Sequence, residues 1–154
     1  MILNTKLTKA YTMYETVLVP TDGSETATSA VDHAIDAAQR HDATVHLLYV
    51  VDSSVANAAP GLAMSEIKEK LEPEGERALA ELESKVEEAD LETVTEMRKG
   101  TPDTEILNYI DNADADLVVM GSTGKSIRER ERVGSVTDSL VRKAGVPVMS
   151  VPGN

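Results

Sequence analysis

The chain has 154 residues, 41% of them hydrophobic and 27% charged, which suits one globular domain and argues against a wholly disordered chain. It has no cysteine, hence no disulfide framework, thiol nucleophile or cysteine-built zinc site, and no apolar run approaches the ~20 residues that span a bilayer. Acidic side chains number 27 against 15 basic ones, and the net charge of −12 argues against nucleic acid or an anionic membrane surface as partner, while the lack of cysteine agrees with a reducing cytoplasm.

That charge fits either a high-salt cytoplasm, where screening relieves self-repulsion, or an ordinary acidic protein. Phe and Trp are absent and Tyr occurs four times, so the core must be packed from Val, Ile, Leu, Ala and Met. Residues 1–13 lack the continuous apolar stretch of a secretion signal and read as a flexible tail, with one domain over 14–152.

Thr16-Val17-Leu18-Val19-Pro20 is a β-branched run ending in the turn cluster Thr21-Asp22-Gly23-Ser24, a buried strand followed by a loop. Ala27, Ala30, Val31, Ala34, Ile35 and Ala38 then recur at helical spacing, with Ser24 or a neighbour as N-cap and an end near His41-Asp42. Thr44 to Val51 reads as the second strand and 52–64 as a loop. From about Ser65 to Ala89 a Glu-rich helix carries Ile67, Leu71, Ala78, Leu79, Leu82 and Val86 on one side, with a kink or division at Pro73-Glu74-Gly75. Its acidic residues read as a solvated face.

Leu91 to Met97 is a weaker third strand. Thr101-Pro102-Asp103 then opens a helix, with Thr as N-cap and Pro at the first helical position, and Ile106, Leu107 and Ile110 form its apolar side. Asp116 to Met120 is the fourth strand and runs into Gly121-Ser122-Thr123-Gly124. Ser135-Val136-Thr137-Asp138 has the form of a capping box before a helix bearing Val136, Leu140, Val141 and Ala144, closed by Gly145. Val146 to Val151 is the fifth strand. Continuous apolar strands alternating with helices predict a doubly wound α/β domain, its parallel sheet covered on both faces. If the first strand is central with the fourth on its far side, the ligand crevice opens between the loops that follow them.

Those two loops are the richest in Gly, Asp, Ser and Thr. After the fourth strand come Gly121-Ser-Thr-Gly124, nine residues, and Gly134-Ser135 at a helix start. Glycines let a backbone approach a ligand closely. Consecutive N–H groups in such a loop make an anion-binding concavity, and a helix N-terminus adds its dipole. Residues 121–143 hold six basic side chains, Lys125, Arg128, Arg130, Arg132, Arg142 and Lys143, against three acidic ones. Taken singly, the glycines could be tight turns, Ser135 a plain cap and the Arg-Glu alternation a row of surface ion pairs. Together they read as an anion site. It is neither a Walker A loop nor the Gly-x-Gly-x-x-Gly dinucleotide fingerprint.

Gly-x2-Gly-x9-Gly-Ser, preceded by Val118-Val119-Met120 and followed by Val146-Pro147-Val148, resembles the ATP-binding branch of the universal stress protein family. The resemblance extends over residues 14–152 and includes Val17 to Glu25, Leu47 to Asp52 and Gly100-Thr101-Pro102. It implies a five-stranded parallel sheet in the order 3-2-1-4-5, a Rossmann-like sandwich of the adenine nucleotide alpha hydrolase type. It also implies a homodimer through the C-terminal strand, here 146–151.

For a bound ATP or other adenine nucleotide, the resemblance places Pro20, Thr21 and Asp22 by the nucleoside and the backbone of Val50 at the adenine. Met120, the run Gly121, Ser122, Thr123, Gly124, Lys125, Ser126 and Ile127, and then Gly134, Ser135, Val136 and Thr137 would hold ribose and phosphates. Mg²⁺ would accompany the phosphates, its ligands largely phosphate oxygens and water. Asp22 reads equally as a turn former. The stretch Lys125 to Val133 departs from the family's leucine-rich version in its charge, and Ser122-Thr123 carries no basic or imidazole group. His33, His41 and His46 fall away from this loop, so no catalytic residue is assigned and hydrolysis is expected to be slow at most. The function expected is a nucleotide-dependent switch in stress regulation. The alternatives are an interaction module without nucleotide and, from another class, a nucleotidyl-transfer enzyme.

Overall fold

The computed structural model describes residues 13–53, 65, 67–122 and 134–152. Along the chain it shows β1 (Thr16–Thr21), α1 (Glu25–His41), β2 (Thr44–Asp52), a π-helical turn (Ile67–Leu71), α2 (Glu72–Glu88), β3 (Thr93–Gly100), α3 (Pro102–Ala113), β4 (Leu117–Gly121), α4 (Ser135–Lys143) and β5 (Val148–Val151). The strands form a parallel sheet in the expected order, β3-β2-β1-β4-β5. The tail over 1–12, loop residues 54–64 and residues 123–133 lie outside the described residues.

Alternation along the strands builds two cores, one on each face. Val17, Val19, Leu47, Val51 and Val119 pack beneath α1 and α2 with Ala30, Val31, Ala34, Leu82 and Val86. Leu18, Leu48, Val118 and Met120 pack beneath α3 and α4 with Ile106, Ile110 and Leu140. Small alanines on α1 bring that helix close to the sheet, which suits a core without large aromatic residues.

Several boundaries differ from the sequence expectations, each for a local reason. The expected division is present but falls between Leu71 and Glu72, where a π-helical turn gives way to α2, and Pro73 stands in the first turn of α2. β3 runs on to Gly100 because Arg98 and Lys99 keep their backbone pairing with Val50 and Val51 at the sheet edge. β5 is shorter than 146–151, since Pro147 has no N–H to donate, although its carbonyl accepts from the N–H of Val118 at 3.0 Å. Ser135 is not the N-cap of α4. Gly134 holds that position with extended backbone, so the proposed capping box does not form. Ser24 and Thr101 do occupy N-cap positions, yet neither side chain bonds back to its helix.

Val141 was expected on the apolar side of α4 but is 60% exposed, because α4 lies at the sheet margin and turns Leu140, fully buried, toward the core. Past the end of α4, Gly145 adopts a left-handed φ of 71°, as its role in closing the helix requires.

Candidate functional site

β1 connects to β2 on one side of the sheet and β4 to β5 on the other, so their C-terminal ends diverge and open a crevice at the sheet's midpoint. The result is a cleft of about 770 Å³. The ends of β1 (Pro20, Thr21, Asp22), β2 (Leu48 to Asp52) and β4 (Met120, Gly121) form its floor. Its walls come from the starts of α1 (Ser24, Thr26, Ala27), α3 (Pro102, Asp103, Ile106) and α4 (Ser135, Val136, Thr137), with Leu71 and Glu74 at the start of α2.

One end is built from backbone. Gly134 donates its N–H to the carbonyl of Ser122 at 2.7 Å, and Ser122 donates its own N–H to the carbonyl of Val151 at 2.8 Å. The buried hydroxyl of Thr137 donates to the carbonyl of Gly121 at 3.2 Å. The loop leaving β4 and the first turn of α4 are thereby clasped together. The N-cap is Gly134, which has no side chain to cap that first turn, so among the described residues its N–H groups and the positive end of the helix dipole lie open to an anion in the cleft. Gly121 is required by close approach: a Cβ there would lie 2.5 Å from Thr26 Oγ1 and 3.0 Å from the Thr26 carbonyl carbon.

Opposite, the β1 loop is fastened by its own side chains. Thr21 Oγ1 accepts from the N–H of Gly23 at 3.0 Å, and Asp22 Oδ1 accepts from the N–H of Ser24 at 2.9 Å. Asp22 is thus a turn former and also a cleft residue. Leu48 and Val50 share a face of β2 and meet Ile106, which makes that part of the cleft apolar, as a planar base requires.

Of the residues singled out from sequence, Pro20, Thr21, Asp22, Val50, Met120, Gly121, Gly134, Ser135, Val136 and Thr137 all border the cleft. Ser122 is buried behind it, with both backbone groups engaged as above. Thr123, Gly124, Lys125, Ser126 and Ile127 lie outside the described residues, as do Arg128, Arg130 and Arg132. Arg142 and Lys143 stand in the last turn of α4, away from the cleft, where Arg142 pairs with Asp138 at 3.3 Å. Sequence reasoning missed Leu48, Pro102, Asp103 and Ile106. The signal was available in Thr101-Pro102-Asp103, a helix opening straight after a strand and so at the same edge of the sheet. Among the described residues the lining is acidic, with Asp22, Asp52, Glu74 and Asp103 and no Lys or Arg.

Below the apolar part, His46 and Tyr109 join β2 to α3 through a 2.7 Å hydrogen bond between Nδ1 and the phenol oxygen. The Arg98 guanidinium lies 4.9 Å from the centre of the Tyr109 ring and pairs with Glu96. Burial lowers the His46 pKa from its ordinary 6.5, opposed by the nearby Glu96 carboxylate. The unfolded chain therefore takes up a proton before the folded one as pH falls. Stability contributed by neutral His46 is complete above about 6.5 and is lost as pH drops through the lower folded value. Chemical denaturation from pH 8 to 5 is expected to show this decline, and His46→Gln to flatten it; a slope unchanged in the variant would refute the assignment. His41 has a structural part too: its Nδ1 accepts from the N–H of Met13 at 3.2 Å and its ring meets Tyr14 edge-on.

Comparison with known proteins places this architecture. The profile described as the universal stress protein family matches residues 13–152. Universal stress protein MJ0531 of Methanocaldococcus jannaschii is 38% identical over 151 residues, covering 97% of this chain and 89% of the relative. The solved structure of protein MJ0577, from the same organism, superposes with a TM-score of 0.80 at 29% identity, covering 90% of this chain and 96% of that one. A crystal structure of a universal stress protein in complex with cAMP superposes with a TM-score of 0.63 at 25% identity, covering 91% and 98%.

Proposed function

Because this chain belongs to the universal stress protein family, we propose that it is an adenine-nucleotide-binding switch of the cellular stress response, working in the cytoplasm with at most slow hydrolysis. One observation carries the proposal. The segment after β4 and the first turn of α4 meet, through Gly134 to Ser122 and Thr137 to Gly121, at one end of a cleft that also has an apolar part, formed by Leu48, Val50, Pro102 and Ile106. A base and a phosphate need that pairing of surfaces within one cavity. A structural neighbour in complex with cAMP supports the ligand class.

In this reading Leu48, Val50, Pro102 and Ile106 enclose the adenine, Thr21 and Asp22 face the ribose, and the N–H groups of Ser135, Val136 and Thr137 receive phosphate. Among the described residues no three acidic or imidazole side chains gather as a metal cage. Mg²⁺ would therefore arrive with ATP, held mainly by phosphate oxygens and water.

Calorimetric titration with ATP, ADP and AMP in the presence and absence of Mg²⁺, followed by phosphate release over hours, tests the reading. Saturable binding with little turnover is expected. No binding would leave an interaction module, and rapid turnover would favour a transferase or hydrolase. We also propose a homodimer through β5, an open sheet edge on which Met149 is 40% exposed. Met149→Lys is expected to shift sedimentation from dimer to monomer, whereas a native chain that sediments as a monomer would count against the interface.

A further inference from the structure

Asp103 is the second residue of α3 and borders the cleft. Both of its carboxylate oxygens are engaged. Oδ1 accepts from the N–H of Thr104 at 2.9 Å, and Oδ2 accepts from the hydroxyl of Ser139, on α4, also at 2.9 Å. Ser139 lies about one turn from Ser135, Val136 and Thr137, which border the cleft. On its sheet side α4 is fastened by Thr137 to Gly121 and by the buried Leu140. Toward α3, Val136 and Leu140 share an apolar cluster with Ile106 and Leu107.

We infer that Asp103 is a positioning residue for nucleotide recognition, the carboxylate that sets the start of α4 in register with the start of α3. The inference rests on the nucleotide reading above. α3 supplies Pro102 and Ile106 to the apolar part of the cleft, and α4 supplies the anion end. A ligand that touches both gains from the second contact only if the two are correctly spaced, because the second contact is then intramolecular. Apolar packing allows two helices to slide, whereas a 2.9 Å charge-assisted hydrogen bond does not. Carboxylate charge near a phosphate opposes binding, so what Asp103 contributes to the site is its geometry.

The test is calorimetric titration of the native chain, Ser139→Ala, Asp103→Ala and Asp103→Asn with AMP and with adenosine, each variant first checked by thermal unfolding. Ser139→Ala is expected to lose AMP affinity about five- to tenfold, less than the full net worth of one hydrogen bond to a charged group. Its adenosine affinity is expected to move less than about twofold, since adenosine does not span both helix starts. Asp103→Asn and Asp103→Ala carry equal charge. The amide keeps both bonds, its oxygen accepting from Thr104 and its N–H donating to Ser139, so Asn should bind AMP about five- to tenfold more tightly than Ala. The double variant Asp103→Ala with Ser139→Ala should be no weaker than Asp103→Ala alone.

Equal AMP affinity in Ser139→Ala and the native chain would overturn the inference, as would a parallel fall for adenosine or equal binding by the Asn and Ala variants. If Asp103→Ala does not fold, the Ser139→Ala comparison alone decides. A native chain that binds neither ligand would overturn the nucleotide reading itself, and that result is distinct from a native chain that binds AMP no better than its variants do.

Discussion

Gly121→Val is expected to abolish adenine-nucleotide binding and to lower the unfolding free energy by about 1–3 kcal/mol or more, the usual range for overpacking a filled site. A Cβ at this position would meet Thr26 Oγ1 at 2.5 Å, Thr26 Cβ at 2.7 Å and the Thr26 carbonyl carbon at 3.0 Å. A flexible side chain could swing aside, but the last of these is backbone in the first turn of α1. Either α1 lifts from the sheet or the end of β4 recedes. Both movements disturb the Gly121 carbonyl that receives the Thr137 hydroxyl, and with it the anion end of the cleft. Thermal unfolding reads the stability term, at roughly 2–4 °C per kcal/mol for a chain of this length. Thr26→Ala removes only the hydroxyl contact and should rescue little. A Gly121→Val protein that binds AMP as the native chain does would refute the placement of the anion site.

Leu140→Ala should cost about 2–5 kcal/mol, the largest stability effect expected of a single truncation in α4. Leu140 is fully buried in the core that also holds Ile106, Ile110, Val118 and Met120. Truncation leaves a cavity beneath a nine-residue helix that is too short to hold its shape without tertiary packing. Because the same helix presents Ser135 to Thr137 to the cleft, weaker nucleotide binding should accompany the loss. The adjacent Val141→Ala, at an exposed site, should stay within about 0.5 kcal/mol in dilute monomer. Equal effects at the two positions in chemical denaturation would mean that the orientation of α4 is wrong.

The fold was legible because each strand carries its own signal. Val17 to Pro20, Leu47 to Val51 and Leu117 to Met120 are continuous apolar runs, as strands covered on both faces must be. The edge strands were less clear. β3 has a polar outer face and a proline directly precedes β5, so their limits were misplaced by up to three residues, from Met97 to Gly100 at the end of β3. Capping was misread for a related reason. Ser135 and Asp138 have the spacing of a capping box, but the register of α4 is set by the Gly134 bond to Ser122, which lies across the fold.

Chain-local chemistry accounts for what the sequence determined by itself: the alternation of strand and helix, the apolar side of α1, and the glycine and serine positions that gather at one edge of the sheet. Burial periods of about 2 and 3.6 are properties of the backbone, so they are written along the chain without reference to distant partners. Only the tertiary structure decided which groups meet. Asp116 reads in the sequence as the first residue of a strand, yet its carboxylate accepts the N–H groups of Glu15 and Thr16 at 2.8 and 3.0 Å, 101 and 100 residues away. Asp103 reads as part of a helix opening and becomes a link to Ser139, and Gly121 reads as a loop glycine and proves to be the gap that admits Thr26. Such pairings depend on how long loops close and helices dock, and no local pattern of residues encodes that distance.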